Sequence, residues 1–307
     1  MSQPFVFYSP FRYPGGKSSF STFLSQVVTR NLDIQYYAEP YAGGAGAALS
    51  LLMNGYVKEI FLNEKNPFLY SFWKIMKMDP DSFIERVKQT PVKIRQWEKQ
   101  RALYYDPKAA KLASTIDKAF CVFFLNRCNR SGILNAGPIG GKHQNGKYSI
   151  TARYNVPNLV ERLYRIKEIR TKIHVKRGDA INFMTNFFVM YKKIKTGQVL
   201  FYLDPPYFLK GKKLYRENYY TDEDHINLSR YLKSFTEKWL LSYDNADFIK
   251  NLYSNHSRQR SKHVEKVNWA NYPKLGKELI MASRVCNLPR NGVKLSKSQL
   301  SDITGRF

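Results

Sequence analysis

Cysteine is scarce in this sequence. The chain of 307 residues has three cysteines, an odd number with irregular spacing, at Cys121, Cys128 and Cys286. This pattern excludes a disulfide framework and matches no zinc motif. Histidine is equally sparse, with five residues scattered along the chain. We therefore predict a protein of a reducing, cytoplasmic environment that binds no metal.

Long apolar runs are also missing. No stretch approaches the roughly 18 consecutive apolar residues of a membrane-spanning helix. The start, MSQPFVFYSPFRYPGGK, lacks the positive region and apolar core of a signal peptide. Hydrophobic residues nevertheless make up an ordinary 43% of the chain, enough to form a globular core. We expect a globular protein with no membrane partner.

Acidic residues are few for the number of basic ones. The chain has 24 Asp and Glu against 50 Lys and Arg, which gives a formal net charge of +26. An imbalance of this size favours a polyanionic partner, through phosphate contacts and counterion release. Nucleic acid suits the sequence better than a membrane surface. A basic surface that serves only solubility is the alternative.

Short segments rich in aromatic and β-branched residues predict seven strands. They are Tyr36–Glu39, Glu59–Asn63, Ile173–Arg177, Val199–Leu203, Trp239–Tyr243, His263–Trp269 and Glu278–Ala282. Helical patterns alternate with several of them, notably at Ala45–Met53 and Asp222–Ser234. This alternation predicts an α/β fold with a mostly parallel seven-stranded sheet covered by helices on both faces.

The alternation breaks between about residues 76 and 170. Helical patterns dominate up to Asn126, and Asn126–Arg153 then carries five Lys or Arg and no acid. The pair Asn145–Gly146 predicts a β-hairpin, because Asn-Gly suits positive φ at both turn positions. We interpret the segment as a mainly helical insertion that ends in a basic loop-and-hairpin surface. A loose surface loop is the alternative.

A glycine-rich turn follows the first predicted strand, between Glu39 and an Ala/Leu helix. Glycines here let the backbone approach a ligand above the sheet edge, although the G-x-G-x-x-G spacing of dinucleotide sites is missing. About twenty residues after the turn, the next strand reaches Glu64, where an acid can accept ribose hydroxyls. Near the N-terminus, a turn delivers Lys17 to a helix start, where it could pair with a ligand carboxylate. Taken singly, each feature is also compatible with an ordinary turn or a solvated charge.

The stretch VLFYLDPPYFLKGKK ends an apolar strand on an acid and two prolines. An open α/β sheet binds ligands outside the carboxyl ends of its strands, so Asp204 is expected to point into that crevice. Pro205 and Pro206 have fixed φ and no N–H, which keeps the loop rigid and leaves carbonyls as acceptors. Tyr207 adds a flat face for stacking. Two acceptors can bind both N–H groups of an exocyclic amine, draw its lone pair out of conjugation and make it nucleophilic.

Four segments resemble the signature motifs of amino-group DNA methyltransferases: YPGGK, EPYAGGAG, LNEKNP and LDPPY. Their order is similar to that of the Dam-like adenine-N6 class, and the similarity runs from Phe11 to about Ser283. It implies a Rossmann-like, S-adenosylmethionine-dependent methyltransferase fold with an inserted target-recognition domain. Residues 1–75 and 171–285 would form the catalytic domain, residues 76–170 the recognition domain and residues 286–307 a basic tail. It also implies a prokaryotic or phage protein, which we expect to act as a monomer.

The resemblance implies site-specific transfer of a methyl group to N6 of an adenine flipped out of double-stranded DNA. Asp204 and the Pro205 carbonyl would hold N6, and Tyr207 would stack on the base. The residues that would contact S-adenosylmethionine are Tyr13, Lys17, Gly43, Glu64, Asp179 and Asp204. Two positions depart from the common pattern, with Glu64 in place of Asp and Tyr41 in place of Phe.

Basic and amide side chains would contact the DNA. The DNA-binding residues that we predict are Arg127, Asn129, Arg130, Asn135, Lys142, Lys147, Lys210 and Lys212. The first four suit base edges, and cations beside the LDPPY loop could contact phosphates, which adds affinity without sequence information. A solvated surface is the alternative for any one of these side chains.

Two other functions remain open at this point. A methyltransferase of the same fold could act on RNA or on a protein amide, although protein-amide enzymes usually have Asn in place of Asp204. A DNA-binding relative could have lost catalysis, although such copies should show a broken LDPPY motif or glycine turn, and both are intact.

Overall fold

The computed structural model describes residues 8–12, 20–209, 220–254, 260–270 and 272–289. Its centre is a seven-stranded sheet in the order β3-β2-β1-β4-β5-β7-β6. The strands are β1 Tyr36–Glu39, β2 Glu59–Asn63, β3 Ile173–Lys176, β4 Val199–Leu203, β5 Lys238–Asp244, β6 Arg260–Ala270 and β7 Tyr272–Ala282. Strands β1 to β5 are parallel, whereas β7 is antiparallel to both neighbours. The predicted α/β class is confirmed, and each predicted strand matches an observed one to within one residue or lies inside it.

Helices cover both faces of this sheet. They are α1 Ser21–Arg30, α2 Gly46–Met53, α3 Pro67–Met78, α4 Pro80–Gln89, α5 Ile94–Tyr105, α6 Pro107–Leu112, α7 Thr115–Cys128, α8 Val156–Glu168, α9 Ala180–Thr185, α10 Phe187–Met190, α11 Asp222–Ser234 and α12 Asp247–Ser254. Tyr37 and Leu200 face the core under α1 to α3, whereas the adjacent Ala38 and Phe201 face the core under α9 to α12. Because both faces are buried, β4 and β5 are buried along their whole length.

The strand order reverses between β1 and β4. From this pair the chain continues to β2 and β3 on one side and to β5 on the other. The carboxyl ends of β1, β2, β4 and β5, at Glu39, Asn63, Leu203 and Asp244, therefore meet at one edge of the sheet. In open α/β sheets the crevice at such a reversal is where ligands bind.

The helices α4 to α8 lie between α3 and β3, as the predicted insertion requires. They share the core of the sheet domain, because α7 packs on α3 through Phe123, whose ring stacks on Phe72 with centroids 6.2 Å apart. Phe11, from the N-terminal segment, packs edge-on against Phe72 at 4.5 Å. The predicted domain boundary after residue 75 falls inside α3.

The predicted β-hairpin in the insertion is wrong. Residues 140–149 form turns, followed by a short 3-10 helix at Ile150–Arg153. Positive φ occurs at Gly140, Gly141 and Gln144, not at Asn145–Gly146. The Gln144 amide donates to the carbonyls of Ile139 (2.8 Å) and Gly141 (2.6 Å), and its Oε1 accepts from the N–H of Ile150 (2.8 Å). These side-chain bonds take the place of a cross-strand ladder.

Candidate active site

Asp204 lies at the carboxyl end of β4, beside the reversal of strand order. It is half-buried, and one oxygen of its carboxylate accepts a hydrogen bond of 2.6 Å from the hydroxyl of Ser242 in β5. The Ser242 hydroxyl in turn lies 2.9 Å from that of Tyr202. Asp204 is thus held from the neighbouring strand, at the sheet edge where the sequence predicts it.

The loop after Asp204 is also fixed at its far end. The carboxylate of Asp244, at the end of β5, accepts from the N–H groups of Phe208 (3.1 Å) and Leu209 (2.7 Å). Between these anchors Pro205 is buried and Tyr207 is half-buried. The loop is therefore attached to β5 on both sides of the Pro205–Tyr207 segment.

The glycine turn after β1 is attached to the end of β2. Gly43 has a φ of +48°, in the left-handed region where glycine has no steric penalty. Its N–H donates to one oxygen of Glu64 at 2.9 Å, and the N–H of Asn66 donates to the other at 2.8 Å. Burial raises the pKa of Glu64, and these backbone hydrogen bonds oppose the shift. Glu64 thus shapes the turn from the end of β2.

Asn63 joins the loops that follow three strands. Its side-chain NH2 group donates to the backbone carbonyls of Pro40 and Gly178, each at 3.0 Å. The backbone carbonyl of Asn63 accepts from the N–H of Ala42 at 3.0 Å. From the sequence, Asn63 is predicted only to end a strand. A polar residue that closes an apolar strand, EIFLN, is the signal that could have indicated this role.

Asp179 caps the N-terminus of α9 at the same edge of the sheet. Its Oδ1 accepts from the N–H groups of Ile181 (2.9 Å) and Asn182 (3.0 Å). Nearby, the hydroxyls of Tyr41 and Tyr220 lie 2.5 Å apart. Burial raises the pKa of both tyrosines, and the charge of Asp179 adds to the shift. Both tyrosines therefore remain neutral hydroxyls beside this carboxylate.

The groups at this edge suit S-adenosylmethionine chemically. Glu64, Asp179 and Asp204 bring carboxylate acceptors to the ends of β2, β3 and β4, and the cofactor carries ribose hydroxyls and an ammonium group as donors. The left-handed Gly43 leaves the turn without a side chain where the backbone must approach a ligand. Tyr13 and Lys17, the other predicted cofactor residues, lie outside the described residues.

Two of the predicted DNA-binding residues are buried. Asn129 is 0% exposed, accepts from the Trp97 indole at 2.6 Å and donates to the carbonyls of Ile133 and Leu134. Arg127 is 9% exposed and donates to the carbonyl of Arg153 at 2.7 Å. Their polar groups serve the interior of the insertion, so a role for either in reading base edges is corrected to a structural one.

The remaining predicted DNA contacts differ in exposure. Arg130, Lys142 and Lys147 are exposed on the insertion. Asn135 is half-buried, and its amide oxygen accepts from the Tyr105 hydroxyl at 3.2 Å. Lys210 and Lys212 lie outside the described residues.

All three cysteines are free and buried. Among the described residues, no group of three His, Cys, Asp or Glu side chains could hold a metal ion. No helix in the described part of the chain is long and apolar enough to cross a membrane.

Comparisons with solved structures give distant similarities. The rRNA methyltransferase aviRa from Streptomyces viridochromogenes aligns with 12% identity and a TM-score of 0.39, covering 91% of this chain and 89% of that one. An O-methyltransferase from Bacillus cereus, solved in complex with SAH, aligns with 10% identity and a TM-score of 0.36, covering 87% and 80%.

Sequence comparisons identify the family. The Type II methyltransferase M.MjaIII of Methanocaldococcus jannaschii is 22% identical over 263 residues, which span 79% of this chain and 86% of that protein. The family model described as D12 class N6 adenine-specific DNA methyltransferase matches residues 13–268, a range that contains all four predicted motifs. S-adenosylmethionine is the cofactor of this family. The chain belongs to the D12 class of N6 adenine-specific DNA methyltransferases.

Proposed function

We propose that this protein transfers a methyl group from S-adenosylmethionine to N6 of a specific adenine, flipped out of double-stranded DNA. One observation carries the proposal. The carboxylate of Asp204 and the Pro205–Tyr207 loop lie at the carboxyl end of β4, next to the glycine turn of β1, where the strand order reverses. A target amine and a methyl donor would meet in this crevice.

For methyl transfer, the protein needs mainly to orient the two reactants and to place hydrogen-bond acceptors around the target amine. When bound, S-adenosylmethionine supplies an electrophilic methyl group. Asp204 and the Pro205 carbonyl would accept the two N6 hydrogens, which keeps the nitrogen lone pair available and aimed out of the ring plane. Tyr207 would stack on the flipped base. Rate acceleration would come from orientation and preorganised acceptors, and no covalent bond to the enzyme is needed.

The cofactor would be held by groups from several loops. Glu64 would accept ribose hydroxyls, Asp179 would lie near the adenine ring, and Gly43 would let the backbone approach. Tyr13 and Lys17 would close on the methionine part. The support for this assignment is the set of carboxylates at adjoining strand ends described above.

DNA would be bound mainly through charge. A net charge of +26 favours a polyanion. We infer that residues 76–170 form the recognition part, with Arg130 and Asn135 near base edges and the exposed Lys142 and Lys147 near phosphates. Basic side chains after the LDPPY loop, Lys210 and Lys212, would contact phosphates around the flipped base.

A direct test supplies labelled S-adenosylmethionine with double-stranded DNA, single-stranded DNA or RNA as the acceptor. We expect label in double-stranded DNA alone, recovered as N6-methyladenine after nucleoside digestion and confined to one short sequence on mapping. Label in RNA at a higher rate would assign an RNA substrate. Absence of label from every acceptor, with DNA binding retained, would identify a binding protein without catalysis.

A further inference from the structure

Strand β5 carries two buried polar side chains at its carboxyl end. Ser242 is 0% exposed and Asp244 is 6% exposed. Because side chains two residues apart in a strand point to the same face, both can reach the same neighbour. That neighbour is the LDPPY loop, since Leu241 pairs with Leu203 and places Ser242 next to Asp204.

The first contact is directional. A carboxylate only accepts hydrogen bonds, so the Ser242 hydroxyl donates its hydrogen to Asp204 across 2.6 Å. The Tyr202 hydroxyl, 2.9 Å from the Ser242 oxygen, then donates to Ser242. A donor of this kind holds the carboxylate in one rotamer.

The second contact fixes the loop backbone. Asp244 accepts from two consecutive N–H groups, those of Phe208 and Leu209, with one oxygen each. The ring of Phe208 also stacks on Phe248 of α12, with centroids 4.6 Å apart. The segment between Asp204 and Phe208 is therefore fixed at both ends from one strand.

We propose that Ser242 and Asp244 are positioning residues, a clamp on β5 that sets the geometry of the catalytic loop. The proposal rests on the proposed function, because the loop's acceptors matter only if they meet a target amine. Ser242 orients the carboxylate of Asp204, and Asp244 fixes the backbone that carries Tyr207. An error of about 1 Å in such a constellation lowers rates on the order of 100-fold.

The first test measures the chemical step in Ser242→Ala, with Ser229→Ala as the matched control. Ser229 is also a buried serine, 2% exposed, and bonds to the carbonyl of Leu252 in α12. We expect Ser242→Ala to lower kcat roughly 10- to 100-fold while KM for DNA and cofactor changes less than about threefold. Ser242→Thr, which keeps the hydroxyl that donates to Asp204, should restore most of the lost kcat.

A second test does not depend on catalysis. In Asp244→Asn only one side-chain oxygen remains to accept two N–H groups, so amide hydrogen exchange at Phe208 and Leu209 should become at least about tenfold faster. If the wild-type protein transfers no methyl group, the proposed function is overturned. Amide hydrogen exchange at Phe208 and Leu209 would still test whether Asp244 fixes the loop. Unchanged exchange in Asp244→Asn overturns the clamp at that end. A kcat in Ser242→Ala equal to that of Ser229→Ala overturns the clamp at the Asp204 end.

Discussion

The side-chain amide of Asn126 pairs with both backbone groups of Arg12. Its oxygen accepts from the Arg12 N–H at 2.7 Å, and its nitrogen donates to the Arg12 carbonyl at 2.8 Å. Arg127 and Arg162 hold the same segment through the carbonyls of Pro10 and Ser9. The insertion thus fixes the chain immediately before the YPGGK motif, which we propose closes on the cofactor.

We predict that Asn126→Asp weakens cofactor binding about tenfold. The Asn126 amide nitrogen donates to the carbonyls of Arg12 and Gly132. An aspartate would still accept from the Arg12 N–H, but its second oxygen would face these two carbonyls without a hydrogen to donate. The loss of these bonds should also lower the free energy of unfolding by about 1–3 kcal/mol. Isothermal titration with S-adenosylmethionine measures the first effect and urea unfolding the second. The control is Asn145→Asp, an exposed asparagine of the same insertion. Equal affinities in both variants would contradict the role given to this segment.

Glu39, the last residue of β1, provides a prediction about pH. It is 4% exposed, and burial raises its pKa to about 8, although the Tyr37 hydroxyl and the Ala48 N–H donate to it and oppose the shift. Between pH 4.5 and pH 8, Glu39 keeps its proton in the folded protein but loses it in the unfolded chain, where its pKa has the ordinary value of 4.5. The stability that Glu39 contributes is therefore complete below pH 4.5 and is lost as the pH rises through 8.

Glu39→Gln carries a neutral group at every pH and should abolish this loss. Between pH 5 and pH 8 its free energy of unfolding should rise relative to wild type by about 3 kcal/mol. Urea unfolding at several pH values measures the difference, with the exposed Glu98→Gln as the control. If the curves of Glu39→Gln and wild type run parallel across this range, Glu39 is ionised in the folded protein and the prediction is wrong.

The DNA-contact surface can be tested by salt dependence. Replacing Lys142 and Lys147 with alanine should make the slope of log K against log salt concentration shallower by about 2, because each phosphate contact contributes about 0.9. The matched control removes Lys192 and Lys193, which are exposed and precede β4 at the opposite edge of the sheet. It changes the net charge equally and should leave the slope almost unchanged. Equal slopes in the two double variants would place the DNA elsewhere.

The sheet and the position of Asp204 could be predicted from sequence because the signals are local. An apolar run such as Val199–Leu203 has few alternatives to a buried strand, and parallel strands bring their carboxyl ends to one edge. The burial of Arg127 and Asn129 could not be predicted in this way. Both lie in a segment without acids that resembles a surface, and their partners Pro10 and Trp97 are distant in sequence.

The turn at Asn145–Gly146 shows the same limit. The pair has the local pattern of a hairpin, but the side chain of Gln144 binds the backbone on both sides of it, at Ile139 and Ile150. The roles of Ser242 and Asp244 on β5 could not be predicted from the sequence, because they depend on the register between β5 and β4. A serine inside the apolar strand KWLLSYD was the available signal.

The central claim is that the Asp204 carboxylate accepts a hydrogen bond from the amine that becomes methylated. The most direct measurement is the single-turnover rate of N6-methyladenine formation in double-stranded DNA by wild type, Asp204→Asn and, as a control, Asp81→Asn, an exposed residue of α4. We predict a loss on the order of 1,000-fold in Asp204→Asn, with DNA affinity within about threefold of wild type and no change in the control. A rate in Asp204→Asn equal to that of wild type would contradict the account.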